Sequence, residues 1–301
     1  MRRLLTGLSV IFLLLFNTLI LIGPLLLIAL GKFVLPGKAL KTASSRGVMW
    51  VAETWAEINK LIFAALLPVR WDIRGSADLR PSTSYLVISN HQSWVDIPAL
   101  VQAFNRKTPY FKFFLKQELI WVPFLGLAFW ALDYPFMKRY SKAFLAKHPH
   151  MQGKDLEITK QACEKFKDLP VTVVNYLEGT RFTPAKQAQQ GSPFQYLLKP
   201  KAGGVAFVLA ALGEQLDKVL DVTLVYPGAR IPGFWALISG QVDKVIVDIQ
   251  TRELDPALWQ GDYENDPNFR QFVQNWVNTL WEDKDARIAQ IRAELSTPTH
   301  S

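Results

Sequence analysis

The chain has 301 residues, half of them hydrophobic, with a formal charge of +8 and a single cysteine. That length allows one large core, and one cysteine excludes an internal disulfide and a multi-thiolate zinc site, so Cys163 reads as a packed helix residue. The positive charge is spread rather than striped: ten Lys/Arg against five Asp/Glu in residues 1–100, twelve against six in 101–170, then near balance. This disfavours a nucleic-acid groove binder and suits anionic lipid headgroups and acidic substrates.

Between Leu4 and Gly31 no side chain is charged. A membrane-crossing helix needs about 20 apolar residues, whereas the apolar part of a secretory signal has about 7–15. The run is therefore expected to be a retained membrane segment, with Gly23-Pro24 either kinking a spanning helix or marking the apex of a re-entrant pair. Arg2 and Arg3 precede it, and Lys32, Lys38, Lys41 and Arg46 follow it. That excess places the downstream domain in the cytoplasm. Trp50, Val51, Trp55, Ile58 and Ile62 recur at helical spacing, so 48–68 reads as an amphipathic helix, on the bilayer or on the domain. We divide the chain into membrane-anchoring helices over 1–69 and a main domain over 70–301.

Strands are expected at Arg70–Ile73 and Tyr85–Ser89, followed by a helix to about Phe104. Residues 113–132 form an apolar, aromatic stretch broken by Pro123 and Gly126. Lys154 to Phe166 reads as a helix, Val171–Leu177 as a strand, 182–204 as a loop and Ala206–Leu216 as a helix. Asp221–Tyr226 and Val242–Ile249 read as strands, and Asn268–Leu295 as an amphipathic helix. Strands alternating with helices give an α/β fold: a mixed, partly parallel sheet flanked by helices, with an N-terminal membrane helix segment.

Chemistry concentrates after two apolar strands. Asn90-His91-Gln92-Ser93-Trp94-Val95-Asp96 follows the strand at 85–89. On a straight helix His91 and Asp96 would point apart, but Pro98 suits a first helical turn. Asp96 is then an N-cap, with 91–95 a turn that folds His91 back toward it. A carboxylate beside imidazole fixes its tautomer and supports a general base. Glu178-Gly179-Thr180-Arg181 follows the strand at 171–177. Its glycine permits close backbone approach, and its arginine offers a planar fork for phosphate. Phe136-Met137-Lys138-Arg139 pairs apolar residues with two cations, and Val225-Tyr226-Pro227 ends a strand as a cleft wall. Taken singly, these read equally well as a capped turn, a surface arginine, a solvated basic turn and a strand end. No Gly-x-Ser-x-Gly elbow and no His-Glu-x-x-His spacing is present, which argues against those hydrolases.

Together, in this order, the four segments resemble the blocks of the glycerolipid acyltransferases, the family of 1-acyl-sn-glycerol-3-phosphate acyltransferase. His91 to Asp96 resembles its HX4D block, Glu178 to Arg181 its EGTR block, Phe136 to Arg139 its intermediate block and Val225 to Pro227 its last, proline-centred block. Phe114 to Gln117, Trp121 to Gly126 and Pro135 to Ser141 look like bacterial inner-membrane members. Lys138 stands where many members carry a small or acidic residue, so the phosphate role is shared there.

The resemblance implies transfer of an acyl chain from acyl-CoA or acyl carrier protein to the free hydroxyl of a lysophospholipid, in phospholipid biosynthesis or remodelling. His91 would be the base and Asp96 its orienter. Lys138, Arg139, Glu178, Gly179, Thr180 and Arg181 would hold the acceptor, with Asn90 and Pro227 supporting the motif. The apolar stretch from Phe111 to Trp130 would admit lipid chains. No metal, no cofactor beyond the acyl co-substrate and no nucleic-acid partner is expected. Membrane lipids are the expected partners, and the bacterial inner membrane the expected location. The alternative is a membrane-anchored, non-catalytic lipid-binding protein of the same fold.

Overall fold

The structure, a computed structural model, describes residues 1–34, 36–75, 77–113, 115–122, 125–137, 157, 161, 163, 169–228 and 230–296. Two long helices open the chain, α1 (Arg2–Val34) and α2 (Lys38–Leu66). There follow β1 (Arg70–Arg74), β2 (Tyr85–Ser89), α3 (Asp96–Phe104), β3 (Phe111–Phe113), β4 (Leu115–Lys116), α4 (Leu125–Ala131) and β5 (Phe136–Met137). The second half holds β6 (Thr172–Tyr176), α5 (Pro184–Gln190), α6 (Ala202–Leu212), β7 (Lys218–Val225), α7 (Phe234–Ile238), β8 (Lys244–Glu253) and α8 (Pro267–Ser296).

Six strands form one sheet in the order β1-β8-β7-β2-β6-β3, and β4 pairs with β5. All neighbours in the large sheet run parallel except β7 and β8. The sheet is therefore mixed and mostly parallel, as expected. Its central strands β2 and β7 are buried on both sides because helices cover both faces. Alternate residues divide accordingly. Leu86 and Ile88 join a core with Val205, Leu209, Val273, Val277 and Trp281 of α6 and α8. Tyr85 and Val87 join the opposite core with Ala99, Leu100 and Phe104 of α3. On the first face, the buried Lys284 of α8 is held by Asp221 of β7.

The parallel register decides where the site lies. Ser89 of β2 stands opposite both Tyr176 of β6 and Val222 of β7. These central strands end at the same edge of the sheet, where open α/β folds place their ligands.

Three local expectations are revised. The amphipathic helix α2 begins ten residues earlier than 48. The described residues within 113–132 include the short strand β4, a 3-10 turn over Gln117–Trp121 and the helix α4, which contains Gly126. The loop expected over 182–204 contains α5. Thr183 caps it by accepting a bond from Lys186 N (3.3 Å), Pro184 occupies its first turn, and Gly191 closes it in the left-handed conformation. All three end signals stand in the sequence.

α1 and α2 form an antiparallel pair. Asn17 Nδ2 donates to Asn59 Oδ1 (2.8 Å) and to Trp55 O (3.0 Å), and Trp55 Nε1 donates to Thr18 Oγ1 (3.0 Å). Arg2–Lys32 is long and apolar enough to cross a membrane. Yet α1 touches the rest of the protein near both ends. A Cβ at Gly7 would lie 2.7 Å from the Trp235 ring of α7, and Val10 is buried in the core beneath α3. At the far end Lys32 Nζ bonds Asp133 Oδ2 (2.6 Å) and Ala131 O (2.8 Å).

Candidate active site

His91 and Asp96 meet where β2 ends. His91 Nδ1 lies 2.7 Å from Asp96 Oδ2, as the folded-back turn predicts. The N-cap assignment is corrected: Val95 is the N-cap and Asp96 is the first helical residue. Its carboxylate does not cap α3 but points backward, where Oδ2 also accepts from Gln92 N (2.7 Å) and Ser93 N (2.9 Å). Its other oxygen, Oδ1, accepts from Tyr226 OH (2.5 Å). Asp96 is completely buried, so four donors replace its lost water. With Nδ1–H donated to Asp96, Nε2 is the ring nitrogen left to accept a proton. The His91 side chain is 20 % exposed, enough to meet a substrate from the cleft. Its ring stacks on Tyr176 of β6, with centroids 4.1 Å apart.

Side-chain and backbone bonds hold this turn against its neighbours. The Asn90 side chain, fully buried, donates from Nδ2 to Leu224 O (3.0 Å) and accepts at Oδ1 from Leu224 N (2.8 Å), so the end of β2 is tied to β7. Phe182 N donates to His91 O (2.7 Å), which ties the histidine turn to the turn after β6. Gly179 has φ +67°, where only glycine is comfortable, and its N–H bonds Tyr176 O (3.0 Å). Pro227 follows Tyr226 beyond β7 and brings no backbone donor to the strand end.

Of the residues expected to bind phosphate, Arg181 is exposed, and its guanidinium lies 4.7 Å from the centre of the Trp94 ring. Stacking of this kind holds the fork in place while leaving its edge for a ligand. Thr180 Oγ1 accepts from Lys186 Nζ (2.7 Å), and Lys186 also reaches Arg181 O (3.0 Å). Lys201 Nζ would lie 3.9 Å from a Cβ at Gly179, so a further cation faces the same turn. Lys138 and Arg139 lie outside the described residues.

Glu178, expected among the residues that hold the acceptor, is fully buried, and Oε1 accepts from His91 N (3.3 Å). Burial pushes its carboxyl up to about 8, against opposing bonds from the His91 and Leu198 backbones. A neutral acid is compatible with the absence of a partner on Oε2 among the described residues. The raised value fixes the direction of its stability effect. This contribution is fully present below the ordinary carboxylate range near 4.5 and is lost as pH rises through about 8. Glu178→Gln copies the neutral acid, so we expect it to keep wild-type activity within about threefold and to flatten the stability decline between those limits. Thermal unfolding across pH checks this; an unaltered slope rejects it.

An apolar cavity of about 440 Å³ opens beside the dyad, between α1, α2 and α3. Leu14, Trp55, Phe63, Trp94, Val101 and Phe234 line it. Trp94 belongs to the turn between His91 and Asp96, so the cavity adjoins that turn. Sequence reasoning missed this chamber, because its walls come from helices far apart in the chain. It also missed Tyr176 and Lys201, which carry no motif of their own, and read Tyr226 only as wall.

Residues 70–227 match the acyltransferase family, slightly more than half of the chain. The chain belongs to that family. It is 25 % identical over 185 residues to human 1-acyl-sn-glycerol-3-phosphate acyltransferase gamma, covering 58 % of this chain and 44 % of that protein. It is 25 % identical over 249 residues to mouse lysocardiolipin acyltransferase 1, covering 78 % of this chain and 61 % of that one. The chain thus spans less than two thirds of the length of these relatives. The crystal structure of the 1-acyl-sn-glycerophosphate acyltransferase PlsC from Thermotoga maritima shares the fold. Its TM-score is 0.52 at 20 % identity, covering 93 % of this chain and 98 % of that one.

Proposed function

We propose that this acyltransferase moves a fatty acyl chain from a thioester donor to the free hydroxyl of 1-acyl-sn-glycerol-3-phosphate or a related lysophospholipid. The observation that carries the reading is the His91–Asp96 pair bonded through its backbone to the Arg181 turn, which sets a base beside a phosphate clamp. His91 Nε2 takes the proton of the acceptor hydroxyl while its oxygen attacks the thioester carbonyl carbon. The carbon–sulfur bond breaks, and the leaving thiolate recovers the proton from His91. Coenzyme A or acyl carrier protein is released. The chamber beside Trp94 receives an acyl chain, and Arg181, Gly179 and Thr180, with Lys138 and Arg139, hold the acceptor phosphate.

The names of the relatives support lysophospholipid as the acceptor class. For the membrane, the support is the exposed face of α1 together with Trp121, Val122, Leu127 and Trp130, all open to solvent in the isolated chain. Exposed apolar surface of this extent marks a membrane or partner contact. We place the protein at a bacterial inner membrane with the site facing the cytoplasm. α1 rests along the domain, in the plane of one leaflet.

The test is to incubate purified protein with a panel of lysophospholipids and both donor types, and to identify products by mass spectrometry. Acylated product with release of free thiol supports the reading. Thioester hydrolysis without transfer, or no turnover of any member, rejects it.

Arginine geometry should matter beyond charge. Arg181→Lys keeps the cation and loses the fork and the stacking on Trp94. We expect the acceptor KM to rise about tenfold, corresponding to roughly 1.4 kcal/mol, with the donor KM within about twofold. Equal acceptor constants for variant and wild type would remove Arg181 from the phosphate site.

A further inference from the structure

Four donors converge on Asp96, and three belong to the turn that contains it: the His91 ring and the backbone of Gln92 and Ser93. The fourth, Tyr226, is 130 residues away, just beyond β7. Among the described residues it is the one donor to Oδ1, at 2.5 Å. Tyr226 is 1 % exposed, so water does not compete for the bond. Its backbone position is set by β7, which pairs with β2 on one side and β8 on the other. A phenol at this place therefore reports the position of the central sheet directly to the carboxylate.

We propose that Tyr226 is a positioning residue for acyl transfer, acting through Asp96: its hydroxyl holds the carboxylate in the rotamer that faces His91 and withdraws charge from it. This rests on the reading of His91 as the base. Without the hydroxyl, Oδ1 is left buried and unpaired, which costs more than an exposed oxygen would. The carboxylate, with one donor fewer, then draws harder on the imidazole proton. Burial and the Asp96 charge both push the Tyr226 hydroxyl above the ordinary phenol range, so it remains a donor across the working pH. Other titratable groups face this centre. Tyr176 stacks on His91, with its hydroxyl buried and without a partner among the described residues. Glu178 lies against the His91 backbone, with Lys284 acting on it from α8. Phenol and acid are neutral at pH 7, and Asp96 is the acidic side chain in direct contact with the His91 ring.

The experiment compares wild type, Tyr226→Phe, Asp96→Asn and the double variant. Tyr226→Phe keeps the ring and its packing. We expect kcat to fall about tenfold with both KM values within about twofold, because the bond serves the reacting state and not binding. The acid limb of kcat/KM should move to higher pH, because a carboxylate with one donor fewer keeps the proton on His91 longer. In the Asp96→Asn background the same change should cost less than twofold, since the two residues act as one unit. A Tyr226→Phe enzyme with wild-type kcat, or an equal loss in both backgrounds, overturns the proposal. A fall in kcat with an unmoved acid limb does so too, because it would mark a packing role. The His91 imidazole can also be followed by nitrogen NMR without substrate, its signals assigned by loss in His91→Gln. There, Tyr226→Phe should raise the titration midpoint of that ring, and an unchanged midpoint overturns the proposal even if no lysophospholipid is turned over. Lack of turnover by wild type, by contrast, counts against the acyltransferase reading alone.

Discussion

His91→Ala will abolish acyl transfer while leaving the protein folded. The side chain sits at the end of β2 with one ring edge open to the cleft, so its removal opens no closed core cavity. What disappears, on the proposed mechanism, is the proton acceptor for the attacking hydroxyl. A positioned general base contributes about 10²–10⁴-fold, and we expect a loss in kcat within that range with the unfolding temperature unchanged to a few degrees. Asp96→Asn should be at least as damaging, and for a second reason. The carboxylate accepts four hydrogen bonds in a fully buried position, from His91, Gln92, Ser93 and Tyr226. An amide offers one accepting oxygen and turns an NH₂ group toward donors. If the NH₂ takes the place of Oδ2, the histidine is forced into the wrong tautomer and the Gln92 and Ser93 N–H groups lose their acceptor; if it takes the place of Oδ1, the Tyr226 hydroxyl loses its acceptor. Activity should fall about 10³–10⁴-fold, and here the unfolding temperature should fall as well. Single-turnover rates with circular dichroism on the same samples read both effects. His91→Ala turning over near the wild-type rate would end the proposed mechanism.

The parts of this site that were legible in the sequence are those carried by short segments. Five residues separate His91 from Asp96, and Pro98 marks where the helix starts, so the folded-back turn follows from local geometry. Glu178 to Arg181 is equally local. What the sequence does not carry is which way a buried group points. Asp96 looked like a helix cap because caps are short polar residues before a helix. It faces backward because two amides and an imidazole in the preceding turn, together with a tyrosine just beyond β7, outweigh the helix N-terminus. Glu178 stood next to Gly179 and Arg181 and shared their assignment. Its burial follows from the packing of β6 against β2, which no four-residue pattern encodes. The same limit hid the chamber beside Trp94, whose walls come from α1, α2, α3 and α7. The fold was read more fully, because strands buried on both faces appear as unbroken apolar runs. The exceptions were short elements: the three residues of β3 carry too little pattern, and α5 was hidden in a polar segment despite its capping residues.

An N-terminal tag will be reached from the same side of the membrane as the catalytic domain. The apolar length of α1 alone would suggest the opposite, since its 33 residues extend about 50 Å and a bilayer core is about 30 Å thick. The contacts decide between the two. Gly7 lets the first turns of α1 close on Trp235, Val10 is buried in the core under α3, and Lys32 pairs with Asp133 near the other end. A helix tied to one domain near both ends cannot carry its N-terminus across a bilayer while that domain stays on one side. Its outward face still needs lipid. Leu4, Leu5, Leu8, Phe12, Leu15, Phe16, Leu19, Ile20, Leu27 and Leu30 are each more than half exposed. Half-burial of ten such side chains is worth roughly 10 kcal/mol, so attachment should survive a 1 M salt wash, where the Debye length is about 3 Å. The experiment digests sealed right-side-out and inverted vesicles separately, and probes for the tag and for a catalytic-domain epitope. We expect both to be cleaved in one preparation and both protected in the other. A tag cleaved in the preparation where the domain is protected would mean that α1 spans, and that its contacts with α7 are not formed in the membrane.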